Sequence, residues 1–271
     1  MVLLEDNMIF SYYPGCTLKT KAKELDEYAR KCTQVFDITL EELPEWQCCG
    51  AVYPMATDEI ATKLSAVRAL AASRDNGSDL ITLCSACHHV IKRTNRDMAQ
   101  NADMCGKVNR YLQLESGDYT GETKVLHYLE LLRDKIGFDE IKKKVVKPLT
   151  GRKIGAYYGC LLLRPSAEME FDNPENPTII EDFIRAIGAE PVIYPYRNEC
   201  CGGYVILDDK KTSVKMCDRI LDSAQNMGAE AVVTACPLCR YNLDQNKKDH
   251  KVNVYYFTEL LAEALGIKEG E

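Results

Sequence analysis

Cysteine is the residue type that could give this 271-residue chain its chemistry, since it occurs thirteen times. Ten of the thirteen belong to three motifs, a Gly-Cys, a Cys-Cys-Gly and a Cys-x-x-Cys, and each motif occurs once in each half. The first cysteine set is Cys16, Cys48, Cys49, Cys84 and Cys87, and the second cysteine set is Cys160, Cys200, Cys201, Cys236 and Cys239. Motifs that recur in the same order indicate an internal duplication.

The spacing of the motifs supports this duplication. In each half, 34 residues separate the Cys-Cys pair from the Cys-x-x-Cys. Between the single cysteine and the pair there are 31 residues in the first half and 39 in the second. Both halves also end on similar segments, 125–132 and 254–261. We therefore predict two domains, at residues 1–150 and 151–271, joined through a basic linker at 139–152.

Five thiols per set restrict the chemistry. Structural zinc takes four ligands, and a redox dithiol would explain the Cys-x-x-Cys but not the Cys-Cys-Gly. Thiolates in this number are typical of iron–sulfur clusters, which usually need four cysteines. The odd total, and a cysteine share below that of small disulfide scaffolds, disfavour a disulfide framework. The residues thus favour an iron–sulfur site in each half, with zinc and dithiol chemistry as alternatives.

The segments between the cysteines alternate between strand and helix patterns, which predicts an α/β fold of two units with largely parallel sheets. Each motif cysteine follows a predicted strand, and ligands of such sheets bind beyond the carboxyl ends of the strands. Thr178 and Glu181 form a predicted capping box, and 161–177 is a predicted loop. The predicted strands are 8–13, 80–83, 153–158, 192–194 and 231–234, and apolar residues at helical spacing predict helices at 25–36, 60–71, 178–187 and 214–224.

Composition and charge exclude several classes of protein. A hydrophobic fraction of 46% is enough for a folded core, and a net charge of −7 disfavours nucleic acid as a partner. No uncharged run approaches the roughly 20 residues that span a bilayer, so membrane insertion is not expected. Glu5 and Asp6 stand where a signal peptide would be apolar, which predicts a cytoplasmic protein.

The cysteine pattern resembles the CCG cysteine-rich domain family, and in particular its branch of heterodisulfide reductase B subunits. The resemblance covers essentially the whole chain, including Pro-Gly-Cys-Thr-Leu-Lys at 14–19, Tyr-Tyr-Gly-Cys at 157–160 and Cys-Pro-Leu-Cys at 236–239. It implies two tandem, pseudo-symmetric Rossmann-like CCG units. It further implies that each cysteine set binds one non-cubane 4Fe–4S cluster through all five thiols, with one thiol bridging two irons.

The same resemblance implies an activity and partners. The activity is the reduction of a mixed disulfide, such as that of coenzymes M and B, to two thiols, and the substrate is a small anionic disulfide. Two clusters suit this reaction because it consumes two electrons. The chain has neither a ferredoxin-type cysteine run nor a glycine-rich dinucleotide motif, so electrons must come from partners. By resemblance these are a ferredoxin-like C subunit together with a flavin-containing A subunit.

Two other functions stay open at this point. The chain could be an electron-transfer subunit, similar to the CCG proteins of lactate or glycolate oxidation systems, which binds no disulfide. It could also be a zinc-binding assembly module. Several other residues lie near the motifs. Cys32 and Cys217 are predicted core residues, and Cys105 could be an exposed thiol. His88 and His89 could tune a cluster, whereas His127 is predicted to be structural. Arg164, Arg197 and Arg240 could bind an anion.

Overall fold

The computed structural model describes residues 7–51, 58–247 and 250–268, so Glu5 and Asp6 lie outside the described residues. Two four-stranded sheets, one in each half, contain only parallel strands. The first sheet has the order β2-β1-β3-β4 and the second has the order β6-β5-β7-β8. The strands are β1 (Met8–Tyr13), β2 (Ile38–Glu42), β3 (Leu80–Thr82), β4 (Val125–His127), β5 (Lys153–Tyr157), β6 (Glu190–Val192), β7 (Ala231–Thr234) and β8 (Asn253–Tyr256). The predicted α/β fold of two parallel-sheet units is confirmed.

Helices connect the strands, as parallel pairing requires. In the first half they are α1 (Cys16–Thr20), α2 (Lys23–Gln34), α3 (Ala61–Asp75), α4 (Ser85–Gln100), α5 (Ala102–Leu112), α6 (Tyr128–Glu130) and α7 (Phe138–Lys144), with a π-helical turn at Leu131–Ile136. In the second half they are α8 (Ser166–Met169), α9 (Ile179–Ala186), α10 (Lys210–Asn226), α11 (Pro237–Gln245) and α12 (Phe257–Ala264), with a 3₁₀ turn at Val205–Leu207. No helix in these described ranges is long and apolar enough to cross a membrane.

The inner strands are covered on both faces, which explains their unbroken apolar sequences. All residues of β3 and all residues of β7 are buried. In the first sheet β2 lies on one side of β1, and β3 and β4 lie on the other side. In the second sheet β6 lies on one side of β5, and β7 and β8 lie on the other side. A crevice forms at the carboxyl end of a parallel sheet where the strand order reverses in this way. These crevices are where the cysteines lie.

The two halves pack against each other through side chains of both. Thr258 of α12 donates a hydrogen bond to the Leu25 carbonyl of α2 at 3.1 Å, and the rings of Tyr128 and Phe257 are 5.5 Å apart. One buried apolar cluster contains residues from both halves. The structure therefore holds the carboxyl ends of the two sheets in a fixed relation.

Two sequence predictions are wrong in the second half. The residues at 161–177 are not a simple loop, because they contain α8 and bury Leu162, Leu163 and Phe171. Thr178 precedes α9 as predicted, but it makes no capping hydrogen bond, so there is no capping box. Asp172 accepts hydrogen bonds from the amides of Thr178 and Ile179 instead, at 2.7 and 2.9 Å.

Smaller differences concern element boundaries. The strand predicted at 192–194 is β6, which ends at Val192, and the proposed linker 139–152 begins inside α7. Phe36 is buried but lies beyond the end of α2. At 192–194 and at Phe36 the apolar sequence pattern continues beyond the last residue of the strand or helix. The boundaries of the elements were therefore harder to predict than the elements themselves.

Candidate iron–sulfur sites

All thirteen cysteines are free thiols. Within the first cysteine set, the sulfur of Cys49 lies 3.4 Å from that of Cys87, and the sulfur of Cys48 lies 3.7 Å from that of Cys16. In the second set the sulfurs of Cys201 and Cys239 are 3.5 Å apart. A disulfide bond is about 2.05 Å long, so these are contacts between thiols.

The second cysteine set surrounds one cavity. All five of its cysteines line this cavity, together with Tyr158, Leu161, Tyr204, Leu238 and, from the first half, Ser85. Residues that are up to 79 positions apart in the sequence, from Cys160 to Cys239, therefore line one cavity. The sequence predicted that they would converge, and the fold brings them together.

Helix starts position the Cys-x-x-Cys motifs. Cys84 is the residue directly before α4 and Cys236 is the residue directly before α11, while Cys87 and Cys239 lie in the first turns of these helices. The amino-terminal end of a helix carries partial positive charge and unpaired amides. Both helices thus favour negative charge on the sulfurs, as a thiolate-ligated centre requires.

Glycine is needed where the backbone passes a sulfur. Gly15 has a φ of +78°, and a Cβ atom there would lie 2.7 Å from the sulfur of Cys87. Gly159, at the equivalent position of the second half, has a φ of +65° and would place a Cβ 3.5 Å from the sulfur of Cys239. The glycine before each single cysteine therefore allows the turn, and at Gly15 it also allows the close approach to the sulfur.

One tyrosine in each half fixes the Cys-Cys motif of that half, and sequence reasoning missed this role. The hydroxyl of Tyr13, at the end of β1, donates a hydrogen bond to the carbonyl of Gln47, the residue before Cys48. The hydroxyl of Tyr157, at the end of β5, donates to the carbonyl of Glu199 at 2.8 Å. Both tyrosines stand two residues before the glycine of the Gly-Cys motif, and this repeated position was the available signal.

The contacts between thiols shift their pKa values in opposite directions. The hydrogen bond with Cys87 lowers the pKa of Cys49 to about 7, and the hydrogen bond with Cys160 lowers the pKa of Cys200 to about 6. Contacts with Cys239 and Cys84 lower the pKa of Cys236 well below its ordinary value. The same kind of contact raises the pKa of the partner thiol, as Cys49 does for Cys87 and Cys200 does for Cys160. Each set therefore contains thiols that ionise readily, and ionised thiols are the form that binds metal.

The two cysteine sets meet at the interface between the halves. The hydroxyl of Ser85 donates to the Ala235 carbonyl at 2.8 Å, so the residues beside Cys84 and Cys236 are in contact. The hydroxyl of Tyr256, at the end of β8, donates to the Leu83 carbonyl and lies 3.4 Å from the Ala235 carbonyl. His127 Nε2 lies 3.1 Å from the same Leu83 oxygen.

The cysteines outside the two sets have different surroundings. Cys32 and Cys217 are fully buried, as predicted, and burial raises the pKa of Cys217 to about 12. The sulfur of Cys217 lies 3.3 Å from the carbonyl oxygen of Cys201, so this buried side chain contacts the backbone of the Cys-Cys motif. Cys105 is half-buried, with its sulfur 3.5 Å from the Tyr119 carbonyl.

The histidines beside Cys87 have structural partners. The ring of His88 is fully buried, with Nδ1 2.8 Å from the Thr82 hydroxyl and Nε2 3.6 Å from a Glu130 carboxylate oxygen. His89 Nδ1 lies 3.0 Å from the Leu161 carbonyl, which connects α4 to the segment after Cys160. Burial lowers the pKa of both rings.

The arginines near the motifs are also engaged within the protein. Arg197 is buried and pairs with Glu181 and Asn176, so it is not a surface residue. Arg240 makes a two-pronged contact with Glu259 at 3.0 and 2.9 Å. Arg164 donates to the Asn198 carbonyl at 3.1 Å and remains partly exposed.

The donor chemistry of the sites fits an iron–sulfur cluster. In the part of the chain that the structure describes, no three side chains of histidine, cysteine, aspartate or glutamate are placed to hold a single metal ion. The second set instead contributes five sulfurs to the lining of one cavity, beside the start of α11. Multiple thiolates around one space are the donor set that iron–sulfur clusters use.

Comparison with protein families gives a match in each half. The profile of the family described as "CCG: Cysteine-rich domain" matches residues 10–92 and residues 154–244. These two segments contain all ten cysteines of the two sets. The duplication read from the spacing therefore corresponds to two copies of one known domain.

Curated relatives match over nearly the full length of the chain. One is the "8-methylmenaquinol:fumarate reductase membrane anchor subunit" of Wolinella succinogenes, which is 32% identical over 97% of this chain and 94% of its own. Another is the B subunit of the "Ferredoxin/F(420)H(2)-dependent CoB-CoM heterodisulfide reductase" of Methanosarcina acetivorans, 28% identical over 96% and 90%. A protein of Archaeoglobus profundus, named as being like the B subunit of heterodisulfide reductase, is 26% identical over 95% and 90%.

A solved structure shares the fold. A hypothetical protein from Helicobacter pylori superposes on 96% of this chain with a TM-score of 0.72 and 12% sequence identity. This chain spans about half of that protein, since it covers 49% of its length. At this level of identity the likeness concerns the arrangement of strands and helices.

Proposed function

The chain belongs to the CCG cysteine-rich domain family, and from this premise we propose that it is the disulfide-reducing subunit of a heterodisulfide reductase-type complex. We propose that residues 1–150 and 151–271 each hold one non-cubane 4Fe–4S cluster through the first and the second cysteine set. The substrate is a mixed disulfide, either that of coenzymes M and B or a related one. Relatives named as heterodisulfide reductase B subunits support this proposal.

The observation that carries the proposal is the cavity of the second cysteine set. Its lining includes five thiols from three separate parts of the half, and few other functions require such a donor set. Ser85, which directly follows Cys84 of the first set, lines this cavity and contacts Ala235, which supports the proposal. A sulfur–sulfur bond bound between the sets would therefore have a cysteine site on each side.

The reaction fits two one-electron centres. A disulfide RSSR′ takes up two electrons and two protons, its sulfur–sulfur bond breaks, and two thiols RSH and R′SH leave. When bound, each cluster would supply one electron at a time. The protein's own part is to hold the cysteines in place, through Gly15 and Gly159, the helix starts at Cys84 and Cys236, and the tyrosine of each half that fixes the Cys-Cys motif.

Electrons must reach the clusters from other subunits. The relatives with heterodisulfide reductase names are subunits of larger enzymes. We propose as partners a ferredoxin-like C subunit together with a flavin-containing A subunit. The alternative is a CCG-type electron-transfer subunit that binds no disulfide, such as one of a lactate- or glycolate-oxidation-like system.

One observation favours an electron-transfer role of another kind. The relative from Wolinella succinogenes, at 32% identity, is named as a subunit of an enzyme that couples 8-methylmenaquinol to fumarate. In a complex of that type this chain would pass electrons between a quinol and a dicarboxylate-reducing partner. The two functions differ in whether a thiol or disulfide binds at the cysteine sites.

The test is disulfide reduction by anaerobically purified protein with reduced viologen as electron donor. We expect each mixed disulfide to yield two thiols while two viologen radicals are oxidised. Cys200→Ser should abolish this turnover, and Cys32→Ala, a matched loss of one buried thiol, should not. If no disulfide in a panel is reduced while a menaquinol analogue reduces the protein, the quinol-linked function replaces this proposal.

A further inference from the structure

A second cavity lies between the halves on the outer side of the first cysteine set. It has a volume of about 540 Å³. Its walls are α1 and the start of α2 from the first half and the start of α11 from the second half. Its lining includes Cys16, Lys21, Leu238 and Arg240.

The charge of this cavity is opposite to that of the protein. The chain carries a net charge of −7, yet the cavity lining contains two cationic side chains and no acidic one. Arg240 is held in place by Glu259, which balances its charge. Lys21 is exposed and forms no ion pair with any residue in the described ranges. A positive group at the mouth of a largely apolar cavity favours a ligand with an anionic end.

The cavity exists because the duplication is imperfect. On the related side of the molecule, the longer segment after Cys160 packs onto the first half. His89 Nδ1 lies 3.0 Å from the Leu161 carbonyl, and Arg133 donates to the Phe171 carbonyl at 3.0 Å. After Cys16 the chain has 31 residues rather than 39 before the next motif, and it enters α2 directly.

The cavity adjoins both cysteine sets. Cys16 of the first set is part of its wall. Leu238 belongs to its wall and also to the wall of the cavity that the second set surrounds. A molecule seated beside α1 and α11 could therefore place one end at the cysteines and leave the other end near Lys21.

We propose that this cavity binds the anionic, non-reacting part of a small thiol or disulfide, and that Lys21 selects for its negative charge. The inference rests on the proposed disulfide chemistry and adds the site that recognises the substrate. It assigns different roles to the two halves of the protein, because α1 and Lys21 of the first half face α11 of the second half across this cavity.

The experiment compares two thiols of the same length, 3-mercaptopropionate and the neutral 3-mercapto-1-propanol. Each is titrated into oxidised, cluster-loaded protein under anaerobic conditions, and binding is followed by calorimetry and by visible absorbance. We expect the carboxylate to bind about 10-fold more tightly than the alcohol, and the difference to shrink in high salt. Lys21→Glu should remove this preference.

The matched control is Lys23→Glu. Lys23 is exposed two residues away and does not line the cavity, so this variant has the same net charge and should keep the preference. Equal affinity of the wild-type protein for both thiols, or an unchanged preference in Lys21→Glu, would overturn the inference even if disulfides are reduced. If the wild-type protein binds neither thiol and reduces no disulfide, the proposed function fails as well.

Discussion

At the residue scale, neighbouring groups and not exposure alone decide how each cysteine behaves. Cys48 is exposed and Cys200 is half-buried, and the pKa values of their thiols are shifted in opposite directions. Partial burial raises the pKa of Cys48, whereas the hydrogen bond with Cys160 lowers the pKa of Cys200 to about 6. Reactivity depends on the thiolate, so the less exposed residue should be the more reactive one near neutral pH.

The first prediction follows from this difference. In cluster-free protein, iodoacetamide should modify Cys200 faster than Cys48 at about pH 7, since a thiol of this pKa is roughly nine-tenths ionised there. The rate at Cys200 should rise through a midpoint near pH 6 and then level off, as mass spectrometry of quenched samples would report. Faster labelling of Cys48 at neutral pH would mean that exposure dominates.

Some site residues could be predicted from the sequence and others could not. The ten cysteines of the two sets were identifiable because their motifs repeat at nearly constant spacing. Tyr256 and Ser85 were not, because their hydrogen bonds join residues far apart in the sequence, such as Tyr256 and Leu83. A hydroxyl gives no sign of its partner until the fold brings the two together.

At the scale of elements, parallel strands bring the cysteines to one edge. In each half the single cysteine and the Cys-x-x-Cys follow the two neighbouring strands at which the strand order reverses. The glycine between β1 and Cys16 then has to turn the chain beside the sulfur of Cys87. The site thus depends on this backbone turn as well as on its thiols.

The second prediction concerns this turn. Gly15→Ala should reduce the iron content of the protein by about half, because the new Cβ would lie 2.7 Å from the Cys87 sulfur at a φ of +78°. Gly77→Ala is the matched control. Its φ is +66° with no atom within 4 Å of the new Cβ, so it should cost about 1 kcal/mol of stability and retain all iron. Equal iron in both variants would show that the close approach is unimportant.

The elements that the sequence mispredicted are those held by distant contacts. Thr178 and Glu181 have the residue types and spacing of a capping box, but Asp172 accepts the amide hydrogen bonds at the start of α9. Glu181 pairs with the buried Arg197 instead. Similarly, the proline- and asparagine-rich segment 161–177 has a loop-like composition, yet contacts with the first half order it. Local patterns could not report these competing partners.

At the scale of the whole molecule, the interface between the halves aligns the two cysteine sets. The Tyr256 hydroxyl contacts the carbonyls of Leu83 and Ala235, and each of these residues directly precedes the first cysteine of a Cys-x-x-Cys motif. A single side chain therefore ties together the backbone of both sites. The distance between two bound clusters should depend on this contact.

The third prediction is that Tyr256→Phe changes the magnetic interaction between the reduced clusters, measured by electron paramagnetic resonance, without loss of iron. Tyr128→Phe is the control, because its buried hydroxyl bonds the Ala29 carbonyl at 2.8 Å within the first half. Each variant should lose about 1 kcal/mol of unfolding free energy. The same spectral change in both variants would indicate a general loosening of the fold, and an unchanged Tyr256→Phe spectrum would exclude the alignment role.

The decisive measurement is the iron and acid-labile sulfide content of anaerobically purified protein and of two single variants. Two four-iron clusters predict about eight irons and eight sulfides per chain. Cys48→Ser and Cys200→Ser should each lower both values by about half, and the remaining spectrum should differ between them because each retains a different cluster. Cys32→Ala, which removes a buried thiol of α2, should keep the full content. Stoichiometric zinc with only traces of iron in the wild-type protein would contradict the cluster assignment and the disulfide chemistry that depends on it.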